Sequence, residues 1–189
     1  MRVHKFIPGA IVFVFLISCG NKTTYEGDSM MNYPDMTLIM KDYLLPYEKS
    51  PNTFLKVVME KDKKDSTYLK AEQMDWKEIH TLFNKANLYD STLDKQYTIT
   101  VISDTLYPVM TLLYTGIKKA NPVQNLSIKA DNTDSKINSI YWEISHDGFF
   151  SSEDKKILYV VGKTLQIQEF RKKTFSSAKK IITQYTFLN

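Results

Sequence analysis

The chain has 189 residues, 43% hydrophobic, 24% charged and 13% aromatic, with a formal net charge of +4 and a single cysteine. That is the size of one ordinary domain with a short extension, and 6 glycines and 6 prolines exclude collagen-like, low-complexity and broadly disordered chains. One cysteine excludes an intrachain disulfide scaffold and any zinc or iron–sulfur site built from several cysteines.

The first residues read as an address label. Arg2, His4 and Lys5 form a basic head, and Phe6 to Ile17 follows without a charge, broken by Pro8-Gly9. As a helix that run would reach only about 18 Å, against a hydrocarbon core of about 30 Å. The pattern is that of a secretory signal rather than a membrane anchor. Its end, Leu16-Ile17-Ser18-Cys19, resembles the lipobox of bacterial lipoproteins. The resemblance implies cleavage after Ser18 and a diacylglyceryl group on the Cys19 thiol, with acyl chains such as palmitate. Two chains on one residue supply durable membrane attachment. Loss of Arg2 and Lys5 with residues 1–18 lowers the net charge from +4 to +2. Gly20-Asn21-Lys22 lacks the Asp that resembles an inner-membrane retention signal and the acidic run that resembles a surface-export signal. By that resemblance the protein belongs on the periplasmic face of the outer membrane.

Residues 19–34 are polar and without apolar period, which predicts a lipidated flexible tether ahead of a single domain over 35–189. Met36, Ile39, Met40, Tyr43 and Leu44 form a helical stripe with Asp35 as N-cap, ended or kinked at Pro46. Phe54–Glu60 and Ser66–Lys70 predict a hairpin around the charged turn 61–65. Asp75-Trp76-Lys77-Glu78 predicts a capping box opening a second helix whose buried face is Trp76, Ile79, Leu82 and Phe83. Strands are expected over 97–102, 109–115, 123–130, 140–145, 156–161, 164–171 and 180–187. With no helical segment between them they imply an antiparallel meander. The fold class is α+β: a curved antiparallel sheet of seven to nine strands, as meander or half-barrel, with two helices on one face.

The lipobox, the N-terminal helix, the Asp75-Trp76-Lys77-Glu78-Ile79 helix start and the C-terminal run of strands together resemble a group of small Bacteroidota outer-membrane lipoproteins. No activity is implied by that resemblance. The half-open sheet also looks like the carriers of the lipoprotein-localisation pathway, at the level of fold alone. In the same phylum, Asp-(Ser/Thr) triplets resemble O-glycosylation sites, here at Ser29, Ser66, Ser91 and Thr105. The competing reading is that Asp-Ser and Asp-Thr are turn chemistry.

Few residues carry a pattern that points to chemistry. His80 is expected at the polar edge of the second helix and His146 beside the Asp147-Gly148 turn, neither at metal-ligand spacing. Ser177 and Lys180 stand three apart in a loop without partner motifs, and there is no glycine-rich phosphate loop or nucleophile elbow. Glu143, between Trp142 and Ile144, reads as a solvated strand residue. Lys155, Lys156, Lys163, Arg171, Lys172, Lys173, Lys179 and Lys180 concentrate charge near the end. Lysine-edged strands explain this run best, a patch facing anionic headgroups is the second reading, and nucleic acid is not expected. No cofactor and no metal is expected, and no catalytic residue is assigned. The expectation is a lipid-anchored, non-enzymatic binding or accessory module with a protein partner in the outer membrane or an apolar ligand. The alternatives are a periplasmic carrier or chaperone for lipid or lipoprotein and, lower, a hydrolase.

Overall fold

Alternation of apolar and polar residues along each strand decides which face is buried. The computed structural model describes residues 22–25 (backbone only), 33–93, 95–104, 106–174 and 177–188. Residues 1–18, expected as a signal segment, and Cys19, Ser29 and Thr105 lie outside the described residues.

Among the described residues, ten strands form one open, curved antiparallel sheet. In chain order they are β1 (Lys22–Tyr25), β2 (Thr53–Glu60), β3 (Lys63–Lys70), β4 (Tyr97–Ser103), β5 (Val109–Gly116), β6 (Val123–Asp131), β7 (Ile137–Asp147), β8 (Ser151–Val160), β9 (Thr164–Lys173) and β10 (Lys179–Leu188). Nine of them fall within 35–189, as expected for an α+β domain with a curved sheet. The helices are α1 (Met36–Tyr43), α2 (Leu45–Glu48) and α3 (Trp76–Lys85).

Strands β4 to β10 follow one another as a meander. The β2–β3 hairpin is not at its start. It closes the far edge, with β2 paired to β10 from Thr53↔Leu188 to Glu60↔Ile181. β1 pairs with β4 at the opposite edge, Lys22 beside Ile102 and Tyr25 beside Ile99. Four residues of the segment expected as tether are therefore strand, and Tyr33 is already core, its ring 6.1 Å from Tyr97. Because β3 and β4 lie at opposite edges, the connection carrying α3 has to cross the sheet. The connection carrying α1 and α2, between β1 and β2, does the same. Both helical segments thus cover one face, termed the inner face.

Local chemistry sets the helix ends. Asp35 accepts hydrogen bonds from the Thr37 and Leu38 N–H groups at 2.9 and 3.3 Å, so α1 begins where the cap predicts. Pro46 ends α1 and also sits in the first turn of α2, where its missing N–H costs nothing, so the described residues hold three α-helices where two were expected. Asp75 caps α3 through the Glu78 N–H at 3.0 Å. The reciprocal half of the expected capping box is absent: the Glu78 carboxylate turns to Lys155 of β8, 3.7 Å away. The expected turn 61–65 shrinks to Lys61-Asp62, because Lys61 takes a left-handed φ of 53° and Lys63–Asp65 pair as strand. Gly162, at φ 65°, makes the β8–β9 turn, and an added Cβ would stand 2.5 Å from the Tyr47 hydroxyl.

The inner face is filled from both sides. The sheet contributes Leu126, Ile140, Trp142, Ile157, Tyr159 and Leu165, all essentially inaccessible. Phe83 of α3 sets its ring edge-on to Trp142 at 4.8 Å and to Tyr159 at 5.9 Å. Phe54 of β2 packs against Trp76 at 5.7 Å and Phe187 at 5.0 Å. Two buried side-chain donors find backbone partners: the Trp76 Nε1–H of α3 donates to the Ala71 carbonyl at 2.7 Å, and the Tyr159 hydroxyl of β8 donates to the Tyr43 carbonyl of α1 at 2.6 Å.

Candidate functional site

Strand alternation disperses the basic run of residues 155–180. Lys155 and Arg171 point to the inner face, where they meet Glu78, Glu153 and Glu169. Lys155 Nζ is 2.6 Å from Glu169, and Arg171 reaches Glu169 at 2.9 Å and Glu153 at 3.1 Å. Burial by itself would lower the Lys155 ammonium, but the hydrogen bond and charge of Glu169, with Glu153 and Glu78 behind it, raise it above its ordinary value. Lys156 points to the outer face, Lys179 pairs with Glu60 at 3.0 Å, and Lys180 lies over the Phe170 ring at 5.3 Å. Lys172 and Lys173 are exposed at the end of β9, and Lys163 occupies a turn at the other end of the sheet.

Glu143 is not the solvated residue expected from sequence. On the outer face it accepts from the Tyr141 hydroxyl, from Asn125 Nδ2 at 2.9 Å and from Lys156 Nζ at 2.9 Å. Burial works to raise its carboxyl, but the bonds from Tyr141, Lys156 and Asn125 outweigh that and hold it below the ordinary carboxylate value. Burial and the bond to Glu143 push the Tyr141 phenol well above its usual range. Strand pairing assembles the group: Glu143 stands opposite both Asn125 of β6 and Lys156 of β8. Sequence alternation placed Glu143 on the less buried face but could not show which neighbours the register brings beside it.

Glu143 and Lys156 of this cluster line an open depression of about 590 Å³ on the outer face, together with Lys119, Ser145, Asp154 and Phe170. Its walls mix fixed charges with one aromatic ring, which suits recognition of a polar surface more than enclosure of an apolar molecule. A pH prediction arises here. A carboxyl held below its unfolded value stabilises the fold above that unfolded value, and the contribution fades as pH falls through the folded one. Urea denaturation between pH 7 and pH 3 is expected to show a shallower acid loss of stability for Glu143→Gln than for the parent. Parallel acid limbs would contradict the assignment.

The other residues singled out from sequence are scattered. His80 is half-buried, its Nε2 2.9 Å from Glu48 of α2, so it does have a carboxylate within reach. The cleft beside that pair, about 450 Å³, includes Ser50 and Glu72, but the Ser50 hydroxyl donates to the Pro46 carbonyl at 2.6 Å. His146 is exposed on β7 opposite Glu153, and the turn it precedes is closed instead by the Gly148 N–H donating to the Ser151 carbonyl at 2.8 Å. Ser66 is exposed on the edge strand β3, open to a bulky group. Ser91 opens a short 3₁₀ turn, and there Asp90 accepts from the Thr92 N–H and hydroxyl, both at 2.9 Å. Asp104 likewise accepts from the Leu106 N–H at 2.8 Å. Turn chemistry thus employs the aspartates of two of the Asp-(Ser/Thr) triplets.

Among the described residues no group of three His, Cys, Asp or Glu is arranged to hold a metal ion. Nor is any helix there long and apolar enough to cross a membrane, which says nothing about strands. No family model, no curated protein and no solved structure matches this chain.

Proposed function

We propose that the protein is a lipid-anchored cell-envelope module, held at Cys19 in the outer membrane, which binds a protein partner without catalysing a reaction. The observation that supports this over the carrier reading is the packing of Phe83 onto Trp142 and Tyr159. The inner face, where a carrier would hold an acyl chain, is occupied by the protein's own side chains. The open recognition surface is then the outer depression around Glu143. A periplasmic setting facing the cell interior accords with the residues that follow Cys19.

The anchor has a direct test. Cys19→Ala is expected to remain unacylated in cells fed labelled palmitate and to leave the membrane fraction, while the parent is labelled and pellets. Palmitate incorporation by Cys19→Ala, or an unlabelled parent, would overturn the lipid attachment.

A further inference from the structure

Antiparallel alternation puts the β5–β6, β7–β8 and β9–β10 turns at one end of the sheet. The β7–β8 turn there carries Phe149 and Phe150, 93% and 68% exposed, their rings stacked edge-to-face at 4.7 Å. Ile117, at the same end in the β5–β6 turn, is 61% exposed. Isolated exposed apolar residues are ordinary, but two adjacent phenylalanines at the apex of a hairpin forgo burial that each could have had in a core. The apex is also held in shape. Thr174 donates to the Phe150 carbonyl through its N–H at 3.0 Å and its hydroxyl at 2.9 Å, and the Gly148–Ser151 bond closes the turn below.

Basic residues stand on both sides of the apex. On one side stand Lys118 and Lys119, both exposed, with Lys119 Nζ 3.5 Å from Asp147 at the foot of the turn. On the other, Lys172 and Lys173 face Ser152 and Ser151 across the β8–β9 ladder. A rigid aromatic apex between lysine pairs matches the two layers of an anionic bilayer surface: rings enter the headgroup–acyl boundary while ammonium groups meet phosphates. We infer that this end of the sheet is an interfacial docking tip, in which Phe149 and Phe150 insert into an anionic lipid surface and the flanking lysines hold it there.

The tip lies at the end of the sheet opposite the one where Lys22 is paired. β1 enters the sheet with Lys22 beside Ile102, near the β4–β5 turn, and β8 leads away from the tip toward that same end. A strand of that length spans about 33 Å. Lys22 and position 149 thus lie at opposite ends of the sheet, and a probe at 149 reports the tip.

The experiment uses the full chain carrying Phe149→Trp, with vesicles of phosphatidylcholine alone or mixed with phosphatidylglycerol, each with and without brominated acyl chains. The parent spectrum, from Trp76 and Trp142, is subtracted. The new indole is expected to shift to the blue and to be quenched by brominated lipid only in the phosphatidylglycerol mixture, less so as salt rises. Adding Lys172→Glu and Lys173→Glu is expected to weaken that binding about thirtyfold or more. The same quenching is expected in a Cys19→Ala chain, so failure of the anchor leaves the tip testable. An indole that stays in water with anionic vesicles, quenching equal on neutral lipid, or a blue shift that grows with protein concentration without lipid would each overturn the inference. The last of these would identify a second copy of the chain as the occupant.

Discussion

Phe83→Ala is expected to cost about 3–5 kcal/mol of folding stability, read as a lower urea midpoint with little change in slope. Phe83 is fully buried, and it is the side chain by which α3 reaches both Trp142 of β7 and Tyr159 of β8. Its removal leaves a cavity that neither neighbour can close, because Trp142 and Tyr159 sit on adjacent rigid strands and the Tyr159 hydroxyl is tied to the Tyr43 carbonyl at 2.6 Å. The variant also opens the inner face to an apolar visitor. It is expected to bind a hydrophobic dye that the parent excludes. Equal dye binding by the parent would mean that the inner face opens readily, and would favour the carrier reading.

The second large effect is expected at Glu169. Its side chain is 12% exposed and meets both Lys155, 16% exposed, and Arg171. Breaking one partner of a fully buried pair costs about 3–5 kcal/mol. Here Glu153 and Glu78 remain near Lys155, and Arg171 is half in water, so Glu169→Gln is expected to cost about 2 kcal/mol at neutral pH. The pH dependence carries the diagnostic sign. The Lys155 ammonium is raised above its ordinary value, so the network stabilises fully below that value and loses its contribution as pH rises through the folded one. Alkaline unfolding of the parent is therefore expected to include a component that Glu169→Gln lacks. A purely structural role for the Glu169 stem would lower stability by the same amount at every pH.

Much of the fold can be read from residues whose physical reasons are local. Asp35 and Asp75 mark helix starts because a side-chain oxygen satisfies orphan N–H groups there, and the alternation in Tyr97–Ile102 or Ile140–Ile144 tells which residues face inward. What escapes a local reading is pairing between distant segments. Nothing near Thr53 announces that β2 will join β10, more than a hundred residues on, so the hairpin that precedes the meander in the chain closes its far edge. The same limit hides the Glu143 cluster, assembled by register across three strands, and the division of the basic run between two faces. Pro46 misleads for another reason: the ring that ends one helix is also suited to open the next. The Phe149-Phe150 pair did carry a signal, since two bulky apolar residues directly after Asp147-Gly148 occupy a turn that cannot bury both.

Covalent capture in cells measures most directly which face binds. A photoreactive side chain placed at Ser145, on the rim of the outer depression, is compared with one at Leu38, 56% exposed on the outside of the helix layer. A discrete protein adduct is expected from position 145, lost when Glu143→Lys is added, and none from position 38. An adduct from position 38 alone, or one from position 145 that is indifferent to Glu143→Lys, would contradict binding through the outer depression.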